Sequence, residues 1–156
     1  MVTPSGHAVF DVSKLLGECI SLSFNNPRIR IVRPSNIYGK GMNPRTFLGS
    51  ILKDLKEKGA VTIGESPESS KDYISIDDAV KLFEKIALGG KERLYNVASG
   101  TVTTHRQIAD RLQKSGTIKF ADNGPTRIFP HIDTSRVASE FGLTCRSLLD
   151  DLPGLI

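Results

Sequence analysis

Phe10-Asp11-Val12-Ser13-Lys14, followed by Glu18, lies in the segment that decides how this chain folds. From about Val9 to Phe24, apolar residues recur at helical spacing, and Asn25-Asn26-Pro27 then stops the pattern. A spacing of four residues places Phe10 and Lys14 on one face of a helix, one turn apart. The pattern predicts an amphipathic helix over residues 9–24 that carries this pair.

Outward from this helix, predicted strands alternate with predicted helices. Strands are expected at 28–33, 61–63, 71–76, 94–98 and 117–120, with a loop at 34–41. Further helices are expected at 45–58, 77–88 (capped by Asp77 or Asp78), 103–114 (capped by Thr103), 133–142 and 148–152. Such alternation predicts an α/β fold with a largely parallel sheet, in which 28–33 and 94–98 pair.

The composition suits one soluble domain over residues 1–156. Hydrophobic residues make up 38% and charged residues 24% of the chain, which are ordinary globular values. No run of eighteen apolar residues occurs, so we expect no membrane span. The segment Met1–His7 lacks the features of a secretory signal, and the isolated Cys19 and Cys145 fit free thiols, so we expect a cytoplasmic protein.

The net charge of +4 raises the question of nucleic-acid binding. The basic residues are interspersed with acidic ones, and aromatic residues are only 6% of the chain. This pattern predicts no nucleic-acid partner, whereas a modest positive excess suits a phosphorylated or diphosphate ligand. His7, His105 and His131 fit no metal-ligand spacing, so no metal site is predicted.

Five segments, taken in order, carry a resemblance that none of them carries alone. They are Phe10–Glu18, Arg33-Pro34-Ser35-Asn36-Ile37-Tyr38-Gly39, Lys71-Asp72-Tyr73-Ile74-Ser75-Ile76-Asp77-Asp78, Tyr95-Asn96-Val97-Ala98-Ser99-Gly100, and Asp133-Thr134-Ser135-Arg136 with Phe141-Gly142-Leu143. Together they resemble the carboxyl-terminal half of an extended short-chain dehydrogenase/reductase, the family of NAD-dependent sugar-nucleotide epimerases and dehydratases. The resemblance implies a partial Rossmann-like sheet and a substrate-binding lobe at about 45–126.

The resemblance assigns roles at the helix over 9–24. Phe10 stands where the family has its general-base Tyr, and Lys14 where a Lys contacts the cofactor and lowers the pKa of that Tyr. Phe10 has no proton to transfer, so it is interpreted as a core or interface aromatic, the alternative being that Tyr38 supplies a phenol. Lys14 is either that family lysine or a solvated helix lysine.

The resemblance also implies substrate contacts and a cofactor contact. Asn36 matches a substrate-binding Asn, or bonds to its own turn. Lys71 replaces a diphosphate-binding Arg, keeping the charge without the bidentate fork. Arg127 matches a second phosphate-binding Arg, or is a solvated surface arginine. Pro34 is assigned to the cofactor side, whereas Asp72, Asp77 and Asp78 are interpreted as structural.

The sequence contains no Gly-rich dinucleotide fingerprint. NAD is the cofactor of the family, but we expect this chain alone to bind none. We therefore predict a truncated, catalytically inactive epimerase/dehydratase-like protein that retains nucleotide-sugar binding. A non-catalytic, self-associating interaction module and one half of a split epimerase are the alternatives. The expected interface of a homodimer is the helix over 9–24.

Overall fold

The computed structural model describes residues 6–156; residues 1–5, which belong to the segment considered for a secretory signal, lie outside the described residues. The α-helices are α1 (Gly6–Ser23), α2 (Phe47–Lys58), α3 (Ile76–Gly89), α4 (His105–Leu112), α5 (Ser135–Phe141) and α6 (Leu148–Asp151). The strands are β1 (Ile31–Pro34), β2 (Asn36–Tyr38), β3 (Ala60–Ile63), β4 (Ser70–Ser75), β5 (Leu94–Val97), β6 (Val102–Thr104) and β7 (Thr117–Phe120). Short 3₁₀ helices follow α4 and α6, at Gln113–Ser115 and Leu152–Gly154.

The strands form three small sheets, and parallel pairing predominates. β1 pairs with β5 in parallel, with Ile31 opposite Leu94, which confirms the predicted pairing. β2 and β4 are parallel, β4 and β6 are antiparallel, and β3 and β7 are parallel. The fold is therefore α/β with largely parallel, Rossmann-like sheets, as predicted.

Two predicted segments differ from the structure. The strand expected at 28–33 begins only at Ile31, because a turn in which Ile29 N donates to Asn26 O occupies its start and the partner strand begins at Leu94. The loop expected at 34–41 contains β2, since its backbone pairs with β4, a segment more than thirty residues away.

The helix caps are partly as predicted. Ser75, not Asp77 or Asp78, caps α3, because the hydroxyl of Ser75 accepts from Asp78 N at 3.1 Å. Thr104, not Thr103, caps α4, since Thr103 is taken up by β6. The stop predicted at Gly59 is confirmed: this residue adopts the left-handed conformation (φ 66°) and donates to Leu55 O at 2.9 Å.

Two apolar cores hold the sheets and helices together. One lies between β2 and β4 and the helices α2, α4 and α6, and includes Tyr38, Tyr73 and Ile108. The other joins α3 and α5 to β5 through Leu82, Ile86 and other buried side chains. The first core backs the sheet on which Asn36 and Lys71 lie.

None of the helices in the described part of the chain is long and apolar enough to cross a membrane.

Candidate functional site

The predicted site residues fall into two groups, and the first lies on α1. The ammonium of Lys14 is 5.0 Å from the centroid of the Phe10 ring, so the spacing of four does bring the pair together. Phe10 is 58% exposed, and residues 8–17 are exposed on every side of the helix. In the described structure Phe10 is therefore not a core aromatic, and its ring contacts a cation instead of a proton-transfer partner.

Two arginines attach the carboxyl-terminal half of α1 to the rest of the chain. Arg33, on β1, bonds to the Glu18 carboxylate through two guanidinium nitrogens, and this contact lowers the pKa of Glu18. Arg93 donates to the backbone oxygens of Ser21, Leu22 and Phe24 at 2.9–3.1 Å. A cation at these carbonyls satisfies groups that a helix end leaves unpaired and complements the helix dipole.

The alternative phenol, that of Tyr38, lies elsewhere. Tyr38 is buried, and its hydroxyl donates to Asp151 Oδ2 at 2.8 Å. Burial, together with the neighbouring Asp151 carboxylate, raises the pKa of Tyr38. This phenol is therefore poorly suited to act as a base near neutral pH.

Asn36 and Asp72 form a structural connection between strands. Asn36 Nδ2 donates to the backbone oxygen of Asp72 at 2.8 Å, so the side chain bonds to the neighbouring strand and not to its own turn. The carboxylate of Asp72, buried in the sheet, accepts from the backbone N–H and the hydroxyl of Ser99, both at 3.0 Å. The structural interpretation of Asp72 agrees with these contacts.

The second group joins Lys71 to Arg127 through three side chains that sequence reasoning did not select. The Lys71 ammonium is 4.5 Å from the centroid of the Phe47 ring, and Phe47 stacks on His105 with ring centroids 4.0 Å apart. Glu65 then lies between His105 and Arg127. The two predicted phosphate-binding cations therefore lie at the two ends of one chain of contacts.

The backbone of Ser69 explains why residues so distant in sequence meet here. Its carbonyl accepts from His105 N at 2.8 Å, and its hydroxyl accepts from Arg127 N at 2.9 Å. Ser70 N donates in turn to Arg127 O at 2.9 Å, which holds the chain before Ile128 along β4. The guanidinium of Arg127, 65% exposed, remains available to solvent.

His105 is the most buried ionisable group of this network. Burial lowers the pKa of His105, and Lys71 acts in the same direction, whereas Glu65 and the Ser66 backbone oppose them. Burial, with a smaller contribution from Glu65, raises the pKa of Tyr73. The neutral forms of both side chains are therefore favoured at neutral pH.

A cavity of about 460 Å³ lies on another part of the surface, at the carboxyl ends of β2 and β4. Its charged lining consists mainly of Arg146 with Asp77 and Asp151, which are already joined in ion pairs. Asn36, Lys71 and Arg127 do not line it. Within the described residues, no group of three or more His, Cys, Asp or Glu side chains could hold a metal ion.

The structure therefore links Lys71 to Arg127 through three intervening side chains, and Lys14 is not part of that network. Asn36 lies opposite Tyr73 on β4, two residues along the strand from Lys71, and Pro34 ends β1, exposed, opposite Val97. The sequence did not single out Glu65, His105 or Phe47 as site residues. The one available signal was that His105 comes just after a predicted helix cap, while Lys71 lies in a predicted strand.

Comparison with known proteins gives one family and one fold. The sequence model of the NAD dependent epimerase/dehydratase family matches residues 4–98. No curated protein sequence matches. Solved structures with a similar fold include TunA, an NAD-dependent NDP-hexosamine 5,6-dehydratase involved in tunicamycin biosynthesis, with a TM-score of 0.83 and 18% identity over 99% of this chain and 53% of that one.

Two further solved structures have a similar fold. dTDP-glucose 4,6-dehydratase from Bacillus anthracis str. Ames has a TM-score of 0.79 and 15% identity over 99% of this chain and 52% of that one. UDP-glucuronic acid 4-epimerase from Bacillus cereus has a TM-score of 0.78 and 23% identity over 99% of this chain and 53% of that one. The chain thus spans about half the length of these structures, and identities this low establish the fold alone.

Proposed function

Because this chain belongs to the NAD dependent epimerase/dehydratase family, we propose that it is the substrate-binding portion of a nucleotide-sugar enzyme. It binds the diphosphate of a nucleotide sugar through Lys71 and Arg127, with Asn36 at the edge of the site. The structure from Bacillus cereus is a complex with UDP-glucuronic acid and NAD, which supports a nucleoside diphosphate sugar as the ligand class.

The observation that carries this proposal is the convergence of two cations on one small network. Lys71 and Arg127 are connected through Phe47, His105 and Glu65, and Arg127 is exposed to solvent. Two positive groups on one surface suit a ligand with two neighbouring phosphates. Lys71 acts as a point charge, so the planar fork of Arg127 supplies the directional contacts.

We further propose that the chain does not catalyse on its own. Phe10 has no phenol to act as a general base, and Lys14 rests over the Phe10 ring. A bound NAD would supply hydride transfer in this family. The residues of this chain do not fit a complete NAD site, because the sequence offers no Gly-rich pyrophosphate loop. We expect no NAD binding by this chain alone.

Isothermal calorimetry with UDP-glucose and dTDP-glucose tests the binding site. Lys71→Ala and Arg127→Gln each remove a contact with a charged ligand group worth about 1.5 kcal/mol or more, so each should weaken binding about tenfold. Lys85→Ala, at an exposed lysine of α3, is the matched control and should leave the affinity unchanged. Absence of heat with both ligands, or equal affinity of all three variants, would contradict the proposal.

A second candidate function, self-association, is supported by α1. Its apolar side chains are more than half exposed: Val9, Phe10, Val12, Leu15, Leu16 and Ile20. Exposed apolar surface of this extent is unfavourable in water, and we propose that a second copy of the chain covers it in a homodimer. A separately encoded Gly-rich half, which would complete a split epimerase, is the competing occupant.

Analytical ultracentrifugation at micromolar concentration distinguishes these states. Leu16→Glu should convert a dimer to a monomer, whereas Leu88→Glu, at the 81% exposed Leu88 of α3, should not. A parent protein that is monomeric at this concentration contradicts the homodimer.

Cys19 and Cys145 are both free thiols, which supports a cytoplasmic location, and cell fractionation would test it.

A further inference from the structure

Glu65 lies between two groups that compete for its carboxylate. Its Oε1 is 3.8 Å from Arg127 Nε, and its Oε2 is 3.8 Å from His105 Nδ1. Both distances exceed those of a hydrogen bond, so the carboxylate is near both groups and bonded to neither. The side chain of Glu65 is only 19% exposed, and that of His105 is fully buried.

Several polar atoms around Glu65 are buried without completing a hydrogen bond. Among the described residues they are Glu65 Oε2, the hydroxyl of Tyr73 and both ring nitrogens of His105, which lie near the Ser66 backbone without completing a hydrogen bond to it. Buried polar groups are ordinarily hydrogen-bonded, and one left without a partner is costly. A small movement of Glu65 toward His105 would satisfy two of these atoms, and it would free the guanidinium of Arg127.

We propose that Glu65 is an internal counter-ion that partly neutralises Arg127 from 3.8 Å until a ligand phosphate arrives and then moves onto His105. The inference rests on the proposed function, because it takes Arg127 and Lys71 as the phosphate-binding groups. As the carboxylate approaches, the neutral imidazole of His105 takes one proton from solvent and becomes a cation that bonds to Glu65. Binding therefore takes up a proton and strengthens as the pH falls.

The charged groups around His105 act together in this exchange. A phosphate on Lys71 neutralises an ammonium that disfavours protonation of the imidazole, and the released Glu65 favours it. Phe47 contributes only an uncharged ring face. The charged groups that act on His105 are Glu65 and Lys71. Arg127 and Tyr73 act on Glu65 in turn, and Arg106, the next residue on α4, is already paired with Glu68 at 3.0 Å.

The first test needs no ligand. In an NMR titration of the three histidines, assigned with His105→Gln, Glu65→Gln should lower the pKa of His105 by about one unit, because a carboxylate 3.8 Å away is lost. Arg127→Gln should raise the pKa of His105, since Glu65 then has one cation fewer beside it. Glu68→Gln is the matched control, and no change is expected. If the pKa of His105 is the same in the parent, Glu65→Gln and Arg127→Gln, the inference is overturned, whatever the protein binds.

The second test uses UDP-glucose, whose esterified phosphates do not titrate near neutral pH. Calorimetry in buffers of different ionisation enthalpy should show proton uptake by the parent and none by Glu65→Gln or His105→Gln. Glu65→Gln should bind about fivefold more tightly, because a partly exposed competing ion pair is removed. Parent binding without proton uptake overturns the inference and leaves the proposed function standing. Absence of heat at every pH overturns the proposed function. In that case the NMR titration, repeated with inorganic pyrophosphate, tests the inference independently of UDP-glucose.

Discussion

Asp72 offers a sharp test of how this fold is held together. Its carboxylate is 3% exposed and accepts two hydrogen bonds from Ser99, through the backbone N–H and the hydroxyl, both at 3.0 Å. Hydrogen bonds to a charged acceptor contribute about 1.5 kcal/mol or more each, and Asp72→Ala leaves the half-buried Ser99 N–H without its acceptor, whereas the Ser99 hydroxyl keeps Thr101 O at 3.3 Å. We expect Asp72→Ala to lower the free energy of unfolding by about 3 kcal/mol, or Tm by about 9 °C in a domain of this size.

Urea denaturation followed by circular dichroism measures this loss, provided that the slope m is unchanged. Asp77→Ala is the matched control, because Asp77 is a 65% exposed carboxylate whose partner Arg146 is also exposed, and it should cost less than about 1 kcal/mol. A double-mutant cycle with Ser99→Ala should give a coupling of about 1 kcal/mol for the hydroxyl bond alone. A loss below about 1 kcal/mol in Asp72→Ala, or full additivity in the cycle, would show that the two bonds to Ser99 do not hold the fold together.

Three further predictions concern other parts of the chain. Phe10→Tyr should restore no NAD-dependent turnover with UDP-glucose, and measurable NADH formation or epimerisation would contradict this. The pKa of His105 is lower in the folded state, so the unfolded chain binds a proton first as the pH falls. The free energy of unfolding should therefore be highest above about pH 6.5 and should decrease below it. Between pH 7.5 and 5.5, denaturation of His105→Gln should show a smaller decrease than denaturation of the parent protein. Gly49→Ala should destabilise α2 in thermal melts although alanine favours helices, because its Cβ would collide with the backbone oxygen of Asn43; a higher Tm would show that the loop before α2 yields.

The elements that local patterns define were predictable from the sequence. The helix over 9–24 and the strand pair around Ile31 and Leu94 contain enough periodic or β-branched residues to be predicted from the sequence alone. β2 and β6 were not identified, because strands of three residues show no period and exist only through pairing with β4.

The candidate site divides in the same way. Lys71 and Arg127 could be selected because they stand at recognisable motif positions. Glu65 and His105 could not, since they are forty residues apart and meet only because Ser69 bonds to the backbone of both His105 and Arg127. Phe47 likewise becomes informative only when its ring is seen between Lys71 and His105.

The way α1 is anchored has a consequence for any chemistry at its amino-terminal half. The side-chain bonds of Arg33 and Arg93 reach α1 at Glu18 and at Ser21, Leu22 and Phe24, whereas Phe10 and Lys14 lie on exposed turns before them. Catalysis needs reacting groups held to within about half an ångström. Any chemistry that used Phe10 and Lys14 would therefore need a further surface to fix the positions of these two exposed side chains.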